Sequence, residues 1–167
     1  MQFSVGVEYA LHCLLYMVDI PVGKSVGIRD LALFQGVSET YLSKVYTKLR
    51  KAGIVKSIPG VNGGYELSRP PEEITFQDVI EAVEGNTPLF QCIEIRQKQI
   101  ILDKDNLPDS HTKCPCLIKI VMLEAEEQMK QYLKGKTLAW LSEQAKNRLP
   151  EDHTRTTIEW FNNPDSR

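Results

Sequence analysis

Hydrophobic residues recur at helical spacing in three segments of the first third of the chain. The first segment, residues 5–18, places five apolar side chains on one stripe of a helix: Val7, Leu11, Leu14, Leu15 and Val18. A second helix is predicted from Ile28 to just before Gly36. A third follows Ser38, a favourable N-cap, and Gly53 suits the left-handed position that ends it. The outer face of the third helix is polar and basic.

Two short strand-like segments come directly after the third helix. Residues 54–58 and 65–68 predict strands, and the glycine-rich residues 59–64 between them predict a hairpin tip. Two helices, a tight turn, a third helix and a hairpin form a winged helix-turn-helix, so the predicted fold is mainly α with a small β-hairpin wing. Residues 28–68 are the predicted DNA-reading head, with the third helix sized for the major groove. The alternative is a small helical domain whose hairpin binds nothing.

The second half of the chain contains one further strong pattern, a helix that begins after Cys116. Apolar side chains there are spaced 4, 3, 4, 3, as in a helix that pairs with another helix: Ile118, Met122, Ala125, Met129 and Tyr132. Glu124, Glu126, Glu127 and Lys130 are expected to face water. Packing within the chain and packing against a second copy both remain open, and the twofold symmetry usual in helix-turn-helix proteins favours a homodimer.

These elements predict four parts of the chain. Residues 1–85 form the winged helix-turn-helix domain, including a shorter helix over 75–84 that Gly85 ends. Residues 86–116 form an irregular sensor loop with cysteines and a helical piece around 93–102, and residues 117–148 form the dimerisation helix and a following short helix. Residues 149–167 are a polar tail in which three apolar side chains can dock: Ile158, Trp160 and Phe161.

The charge distribution supports a nucleic-acid partner at one end of the chain only. The net charge is −2, but residues 1–70 hold eight Lys and Arg against five Asp and Glu. Five of these cations concentrate in one stretch: Lys44, Lys48, Arg50, Lys51 and Lys56. Such a stretch neutralises phosphates, although a solvated helix face is the commoner explanation of a basic run.

Cysteine usage and the N-terminus together point to a cytoplasmic protein. No apolar run approaches the length of a membrane span, and no secretory signal is recognisable in the sequence. In that reducing compartment the four cysteines are not expected to form structural disulfides, so redox or metal chemistry becomes the alternative.

Candidate ligands for such chemistry lie in two regions. Glu8 and His12 are four residues apart on the first helix and so share a face, where they either bind a metal together or form an ordinary surface pair. Cys13 is interpreted as a core or interface residue. Cys92 begins the irregular segment, and Cys114-Pro115-Cys116 ends it at the start of the long helix, where amides and the helix dipole favour thiolates. The spacing is not that of a zinc finger.

Several motifs resemble the IscR-type family of bacterial regulators, also called the Rrf2 family. They are Tyr9-Ala10-Leu11, Tyr41-Leu42, the string from Leu49 to Val55, Gly63-Gly64-Tyr65 in the wing, Ile74-Thr75 before the fourth helix, and Lys136-Thr137-Leu138. The match covers residues 1–145. It implies a homodimeric repressor or activator, with a repressor the expectation, that binds a palindromic double-stranded DNA operator.

The resemblance also implies which positions touch DNA. Base edges and phosphates are expected to meet Ser38, Thr40, Tyr41 and Lys44, with further phosphate or groove contacts from Lys48, Asn62 and Gly63. Some family members carry arginine where this chain has Pro59, and proline cannot probe a narrow minor groove as arginine does. The expected specificity therefore lies on the third helix.

The chain is most similar to the redox-sensing branch of that family, the RsrR type. The similarity lies in the string from Gly6 to Cys13 and in Cys92-x-Glu94-Ile95-Arg96-Gln97 followed by Cys114-Pro115. It implies a [2Fe–2S] cluster with ligands Glu8, His12, Cys92 and Cys114, some across the dimer, and with Cys116 as the alternative to Cys114. The expected function is a dimeric regulator controlled by the redox state of this cluster.

Three other functions compete with this one. A cluster-free regulator would sense oxidants by a disulfide between Cys92 and Cys114 or Cys116. A thiol-disulfide oxidoreductase would use Cys114-Pro115-Cys116, but neither the spacing nor a βαβ pattern supports an enzyme. A protein-binding adaptor would keep the fold without reading DNA.

Overall fold

The computed structural model describes residues 2–21, 23–60 and 63–163, and in these residues it contains eight α-helices and one β-hairpin. The described chain divides into two compact units. One comprises residues 87–132, and the other combines residues 2–86 with residues 133–163. In the described parts of the chain, every helix is too short or too polar to cross a membrane.

The three N-terminal helices match the apolar periodicity of the sequence. They are α1 (Val5–Val18), α2 (Ile28–Gln35) and α3 (Glu39–Lys51). Gly36 ends α2 with a φ of 70°, and the Ser38 hydroxyl accepts a hydrogen bond from the Tyr41 amide at 3.4 Å. Gly53 adopts a φ of 69° after α3, as predicted. The turn between α2 and α3 therefore follows from local signals.

The core of the larger unit lies among these helices. Its largest fully buried side chains come from α1, α2, α3 and the segments that follow α3: Tyr46, Leu14, Leu31, Leu42, Leu49, Ile54 and Ile74. The predicted inner face of α3 is confirmed from Leu42 to Leu49. On α1 the buried face includes Val7 and Leu14 as predicted, but it turns toward Ala10, Cys13 and Met17 and leaves Leu11, Leu15 and Val18 half-buried. Because α3 buries one face completely, its opposite face is held at the surface of a rigid scaffold.

The predicted hairpin is present as β1 (Val55–Ile58) and β2 (Gly64–Leu67), which pair antiparallel with Val55 opposite Leu67. Val26 extends this pair by exchanging backbone hydrogen bonds of 2.9 and 2.8 Å with Tyr65. A Cβ at Gly64 would lie 2.4 Å from the Val26 carbonyl oxygen, so only glycine allows this close approach.

The fourth helix and a later helix complete the same unit. Helix α4 (Phe76–Glu84) begins with a capping box, in which the Thr75 hydroxyl accepts from the Asp78 amide and the Asp78 carboxylate accepts from the Thr75 amide. Helix α7 (Leu138–Arg148) is capped by Thr137. A backbone bridge joins Thr75 to Thr137, so the start of α7 is tied to the start of α4.

The smaller unit contains the irregular segment and most of the long helix. Here α5 (Asp109–Thr112) is a single turn, and α6 (Leu117–Lys134) starts where the sequence predicts. The helical piece expected around residues 93–102 is a short 3-10 helix, Ile95–Lys98. The apolar face of α6 is exposed in this chain, with Ile118 at 66% and Tyr132 at 67%.

One residue of α6 departs from the prediction that it faces water. Glu126 is only 7% exposed, because its carboxylate accepts a hydrogen bond from the Leu89 amide at 3.1 Å and pairs with Lys130 at 2.7 Å. The hydrogen bond from the Lys130 ammonium group, the hydrogen bond from the Leu89 amide and the Lys130 charge hold the pKa of Glu126 below its usual value, while burial acts in the opposite direction. Glu126 thus anchors the start of the irregular segment to α6.

The C-terminal segment, expected as a polar tail, is mostly a helix. Helix α8 (Glu151–Asn162) places Phe161 in the core of the larger unit, where it is 5% exposed. The rings of Trp160 and Phe161 both lie 4.9 Å from the ring of Phe34 on α2. The expectation that aromatic residues of the tail dock is confirmed, and the periodicity of α8 was missed because its polar residues outnumber the apolar ones.

Candidate nucleic-acid interface and sensor site

The outer face of α3 presents a polar groove of about 380 Å³. Its walls are short hydroxyl side chains with one acid and one base: Glu39, Thr40, Ser43, Lys44 and Thr47. Thr40 and Lys44 are exposed here, as is Ser38 at the N-terminal end of the helix. Hydroxyls and an ammonium group on one exposed helix face can donate hydrogen bonds to phosphates and base edges.

Tyr41 connects this exposed face with α1. Its side chain is 37% exposed, and its ring meets the Tyr9 ring edge to face with the centroids 5.7 Å apart. The Tyr41 hydroxyl also lies against Gly6, where an added Cβ would come within 3.0 Å of the oxygen. A side chain predicted to contact DNA is therefore positioned by the first two turns of α1.

Lys48 has a partner within the protein. Its ammonium group donates a 2.6 Å hydrogen bond to the Val83 carbonyl at the end of α4, which neutralises the negative end of that helix. Next to it, hydrogen bonds from Ser4 hold the pKa of Glu84 below its usual value, and the Lys48 charge acts in the same direction. Lys48 thus links α3 to α4 by a hydrogen bond, and Lys44 is the cation nearer the N-terminus of α3.

The wing gives less support to the predicted DNA contacts. Asn62 lies outside the described residues. The Gly63 amide donates to the Gly60 carbonyl at 3.0 Å, and a Cβ on Gly63 would lie 2.4 Å from the Ile58 carbonyl oxygen. Gly63 therefore shapes the hairpin backbone. Pro59 is exposed at the base of the tip.

Glu8 and His12 are both exposed on α1 and line one groove of about 590 Å³. The rest of the groove is mainly apolar and is contributed by α1, the residues before it, α4 and α7: Phe3, Val7, Leu11, Leu15, Phe76 and Leu141 are among its lining residues. The carboxylate and the imidazole are thus accessible polar groups at the wall of an apolar groove, an arrangement that suits ligand binding.

Cys13 is a core residue, as the sequence predicts. It is fully buried, and burial raises the pKa of its thiol to about 12. A thiol with that pKa stays protonated near neutral pH, so Cys13 is neither a reactive nucleophile nor a good metal ligand.

The three other cysteines lie in the smaller unit and are accessible, with Cys114 exposed and Cys92 and Cys116 half-buried. The Cys92 thiol contacts the Glu94 carboxylate, which pairs with the Arg96 guanidinium at 2.9 Å. Hydrogen bonding to Arg96 holds the pKa of Glu94 below its usual value, while burial opposes that effect. The guanidinium also donates to the Cys114 carbonyl, so Cys92 and Cys114 are linked through two side chains.

Two further contacts join the same segments. Arg96 donates to the Ser110 carbonyl at 3.0 Å, and the Gln97 amide donates to the His111 carbonyl at 2.7 Å. The ring of His111 contacts only the neighbouring Ser110 hydroxyl among the hydrogen bonds described, as expected for a loop histidine. Arg96 and Gln97 have no role that the sequence alone indicates, because a single basic or amide residue near a cysteine carries no spacing signal.

The predicted ligands lie in two groups. Glu8 and His12 line one groove of the larger unit, and Cys92 and Cys114 lie in the smaller unit, where contacts of Glu94 and Arg96 join the Cys92 thiol to the Cys114 backbone carbonyl. Among the described residues of this single chain, no cluster of three or more His, Cys, Asp or Glu side chains could hold a metal ion. The donor set itself suits iron: two accessible thiols, an imidazole and a carboxylate are ligands that iron–sulfur centres and related sites use.

Comparison with known proteins supports the reading of the fold. Residues 3–144 match the family model named Rrf2, which is described as an iron-dependent transcriptional regulator. The regulator NsrR of Geobacillus kaustophilus is 31% identical over 143 residues, which cover 86% of this chain and 90% of that protein. NsrR of Shouchella clausii is 30% identical over 160 residues, 96% of this chain and 97% of that protein.

Solved structures show the same fold. IscR of T. potens superposes with a TM-score of 0.65 and 24% identity over 93% of this chain and 96% of that one. CymR, the global cysteine regulator of B. subtilis, superposes with a TM-score of 0.63 and 24% identity over 86% of this chain and 97% of that one. At this identity the two structures confirm the predicted winged-helix architecture but do not assign functions to individual residues.

Proposed function

This chain belongs to the Rrf2 family of transcriptional regulators, a class of DNA-binding proteins and not of enzymes, and we propose that it is a homodimeric repressor controlled by the redox state of a [2Fe–2S] cluster. The observation that carries the proposal is the position of α1. One side of α1 presents Glu8 and His12 to a groove, and the same helix contacts Tyr41 of α3 through Gly6 and Tyr9. A change of charge at the first pair therefore acts on a helix that positions the DNA reader.

The DNA contacts are assigned to the exposed N-terminal half of α3. Ser38, Thr40, Tyr41 and Lys44 meet bases and phosphates, whereas Lys48 contributes by its field and by holding α3 against α4. Asn62 and Gly63 are assigned further phosphate or groove contacts. The accessible hydroxyls and the exposed Lys44 support this assignment.

A test of the reader measures salt dependence. Lys44→Ala should weaken binding to a DNA fragment that the wild-type protein selects from a random library, and should lower the slope of log affinity against log salt by about 1, as expected for one lost phosphate contact. Lys98→Ala, which removes an exposed cation from the smaller unit, is the matched control and should change neither quantity. Equal effects of the two substitutions would refute the assignment.

The cluster ligands are Glu8, His12, Cys92 and Cys114, with Cys116 as the alternative to Cys114. All five side chains are exposed or half-buried, and the family description as iron-dependent supports an iron group. When bound, the cluster would supply a one-electron change of charge, and nitrogen and carboxylate ligation would raise its potential relative to four thiolates. The four side chains would hold the cluster, and Glu8 and His12 would transmit its change of charge to α1.

Dimerisation is assigned to the apolar face of α6. On the predicted seam, Ile118, Met122 and Tyr132 are 66, 40 and 67% exposed in the single chain, which is unusual for three large apolar side chains on one helix. A second copy of α6 is the occupant that the spacing of 4 and 3 residues fits, since this is the spacing of paired helices.

The dimer is tested by Ile118→Glu, a change on the predicted seam. Each copy would lose about 1.5 kcal/mol of apolar burial, so the dissociation constant should rise at least about a hundredfold. Sedimentation velocity should then show monomers at concentrations where the wild type is dimeric. Glu127→Gln, a nearly isosteric change at an exposed position of the same helix, is the control. A dimeric Ile118→Glu variant would place the interface elsewhere.

The cluster is tested on protein purified anaerobically and reconstituted with iron and sulfide. We expect visible absorption, iron and sulfide in equal amounts, and different DNA affinity for oxidised, reduced and iron-free samples. His12→Ala should lower iron content or shift the absorption bands, while His111→Ala and His153→Ala should not. A colourless wild-type protein without iron after reconstitution contradicts the cluster.

A second function is favoured by the link between the Cys92 and Cys114 segments, namely a cluster-free thiol sensor. Hydrogen peroxide would take two electrons and two protons from the two thiols, giving a disulfide and two molecules of water. Peptide mapping without reductant after peroxide treatment separates the alternatives. A Cys92 to Cys114 disulfide that changes DNA affinity in an iron-free protein supports the thiol sensor and removes the need for the cluster.

A further inference from the structure

Side chains of residues 94–97 cap the C-terminal end of α5 in the smaller unit. A helix leaves its last carbonyl groups without partners, and α5 is only one turn long, so most of its carbonyls need hydrogen-bond donors from elsewhere. The Arg96 guanidinium donates to the Ser110 carbonyl at 3.0 Å and to the Cys114 carbonyl, and the Gln97 amide donates to the His111 carbonyl at 2.7 Å. Two side chains therefore tie two segments that are 14 to 18 residues apart.

Glu94 makes this arrangement possible by an unusual backbone conformation. Its φ of 49° and ψ of 44° place it in the left-handed region, where it is the only residue other than glycine among the described residues. Such a conformation is disfavoured for glutamate and persists when surrounding contacts impose it. It turns the chain so that the Cys92 thiol and the Arg96 guanidinium both contact the Glu94 carboxylate.

We infer that Arg96, held by Glu94, is a positioning residue that pairs Cys92 with Cys114 and not with Cys116 before any cofactor or oxidant acts. This inference rests on the proposed role of these thiols in sensing. Arg96 binds the carbonyl of Cys114 itself, so it fixes the backbone from which that thiol projects. The Cys116 carbonyl accepts the Ile120 amide at 3.0 Å, so the backbone of Cys116 belongs to the first turn of α6.

The selectivity has a physical basis in the hydrogen bonds to Arg96. A bond with a charged donor is shorter and stronger than a neutral one, and the guanidinium holds its donors in a fixed plane. Removing that donor leaves the segment after α5 free to reorient relative to Cys92. The effective concentration of the Cys114 thiol at the Cys92 thiol should then fall by at least about tenfold, which is the factor in an equilibrium constant that one charge-assisted hydrogen bond supplies.

Disulfide formation in iron-free protein measures that proximity directly. The protein is equilibrated with reduced and oxidised glutathione, so that two protein thiols give two electrons and two protons to one glutathione disulfide, forming a protein disulfide and two glutathione thiols. Cys116→Ser leaves the pair Cys92 and Cys114, and Cys114→Ser leaves the pair Cys92 and Cys116. The effective thiol concentration should be at least about tenfold higher in Cys116→Ser.

Variants of Arg96 then test its role. Arg96→Gln, made in both the Cys116→Ser and the Cys114→Ser backgrounds, should remove the difference between the two pairs. Arg96→Lys keeps the charge and one donor direction and should restore part of it. Lys98→Gln removes a neighbouring exposed cation and is the matched control that should leave the difference intact. Glu94→Gln weakens the ion pair to Arg96 and should act in the same direction as Arg96→Gln.

Three outcomes would overturn the inference. They are equal effective concentrations for the two pairs in the wild-type background, a preference for Cys116, and a preference for Cys114 that survives Arg96→Gln. Thermal unfolding and DNA binding of the reduced, iron-free variants show whether the chain is folded, and Arg96→Lys and Glu94→Gln provide the same test if Arg96→Gln does not fold. Because this readout uses no iron, a failure of the cluster proposal leaves it unaffected, and a failure here leaves iron binding to be judged separately.

Discussion

Replacing Gly6 by alanine tests whether α1 positions the DNA-reading helix. The added Cβ would lie 3.0 Å from the Tyr41 hydroxyl oxygen, 3.2 Å from the Ser4 hydroxyl oxygen and 3.2 Å from a methyl carbon of Val83. Contacts this short require the neighbours to move by a few tenths of an ångström. The Tyr41 hydroxyl can move because it ends a partly exposed side chain, so the strain is relieved mainly by displacing that ring.

Two opposing terms decide the effect on stability. Overpacking a site costs about 1–3 kcal/mol, and the cost falls at the lower end where flexible side chains yield. Replacing glycine by alanine within a helix recovers about 0.5–1 kcal/mol. The free energy of unfolding of Gly6→Ala should therefore lie within about 1 kcal/mol of the wild-type value, although Tyr41 has moved.

DNA affinity should respond much more than stability. A displaced Tyr41 hydroxyl loses a contact worth roughly one hydrogen bond, so we expect affinity for the selected DNA fragment to fall about tenfold. Fluorescence anisotropy measures the affinity, and thermal unfolding followed by circular dichroism measures stability. Val5→Ala, which shortens an exposed side chain in the same turn, is the control and should leave the affinity unchanged.

A double-mutant cycle with Tyr41→Phe identifies the contact responsible. Without the hydroxyl oxygen the shortest contact of the new Cβ disappears, so Gly6→Ala should cost little affinity in the Phe background. A coupling energy above about 0.5 kcal/mol is expected for residues in direct contact. If Gly6→Ala lowers affinity equally in both backgrounds, or leaves it unchanged in the first, the reasoning about Tyr41 is refuted.

Three further changes test the packing described above. Glu126→Gln should lower the melting temperature at pH 7 and have no effect on it at pH 3. A carboxyl group whose pKa is lowered in the folded state contributes stability above its unfolded pKa of 4.5 and loses that contribution as the pH falls through its folded pKa. Glu124→Gln, at an exposed position, should leave the melting temperature unchanged at both pH values. In native protein at pH 8, Cys13 should resist iodoacetamide for as long as the fold persists, since a pKa of about 12 leaves about one thiolate in ten thousand, and rapid labelling located by mass spectrometry would contradict its burial. Trp160→Ala should destabilise the larger unit by about 2 kcal/mol in chemical denaturation, whereas Thr156→Ala on the exposed side of α8 should change little, and equal losses would mean that the ring cluster contributes nothing.

Local sequence signals were sufficient to predict the helices and the hairpin of the DNA-reading head. The N-cap Ser38, the left-handed Gly36 and Gly53, and the apolar periods of α1 and α3 each act over a few residues, so the chain carries them wherever it packs. The same holds for the position of Cys13 on the inner side of α1. The family resemblance, confirmed by the match over residues 3–144, added the expected role of the head.

The sensor region depended on contacts between distant residues. Nothing in the spacing of Arg96 indicates that it would reach carbonyls 14 and 18 residues later, and a left-handed Glu94 has no sequence signature because the residue is not glycine. Glu126 likewise has the pattern of a solvated helix face, yet the Leu89 amide buries it.

Local patterns alone therefore determined the helices, the hairpin and the identity of the candidate donors, whereas tertiary structure decided their partners. Lys48 shows the difference: its charge and its place on α3 predict a phosphate contact, and only the packed structure shows that the Val83 carbonyl at the end of α4 accepts a hydrogen bond from its ammonium group. The physical reason is that propensity and periodicity act between neighbours in sequence, while a polar side chain takes whichever partner the packed chain brings within hydrogen-bond distance.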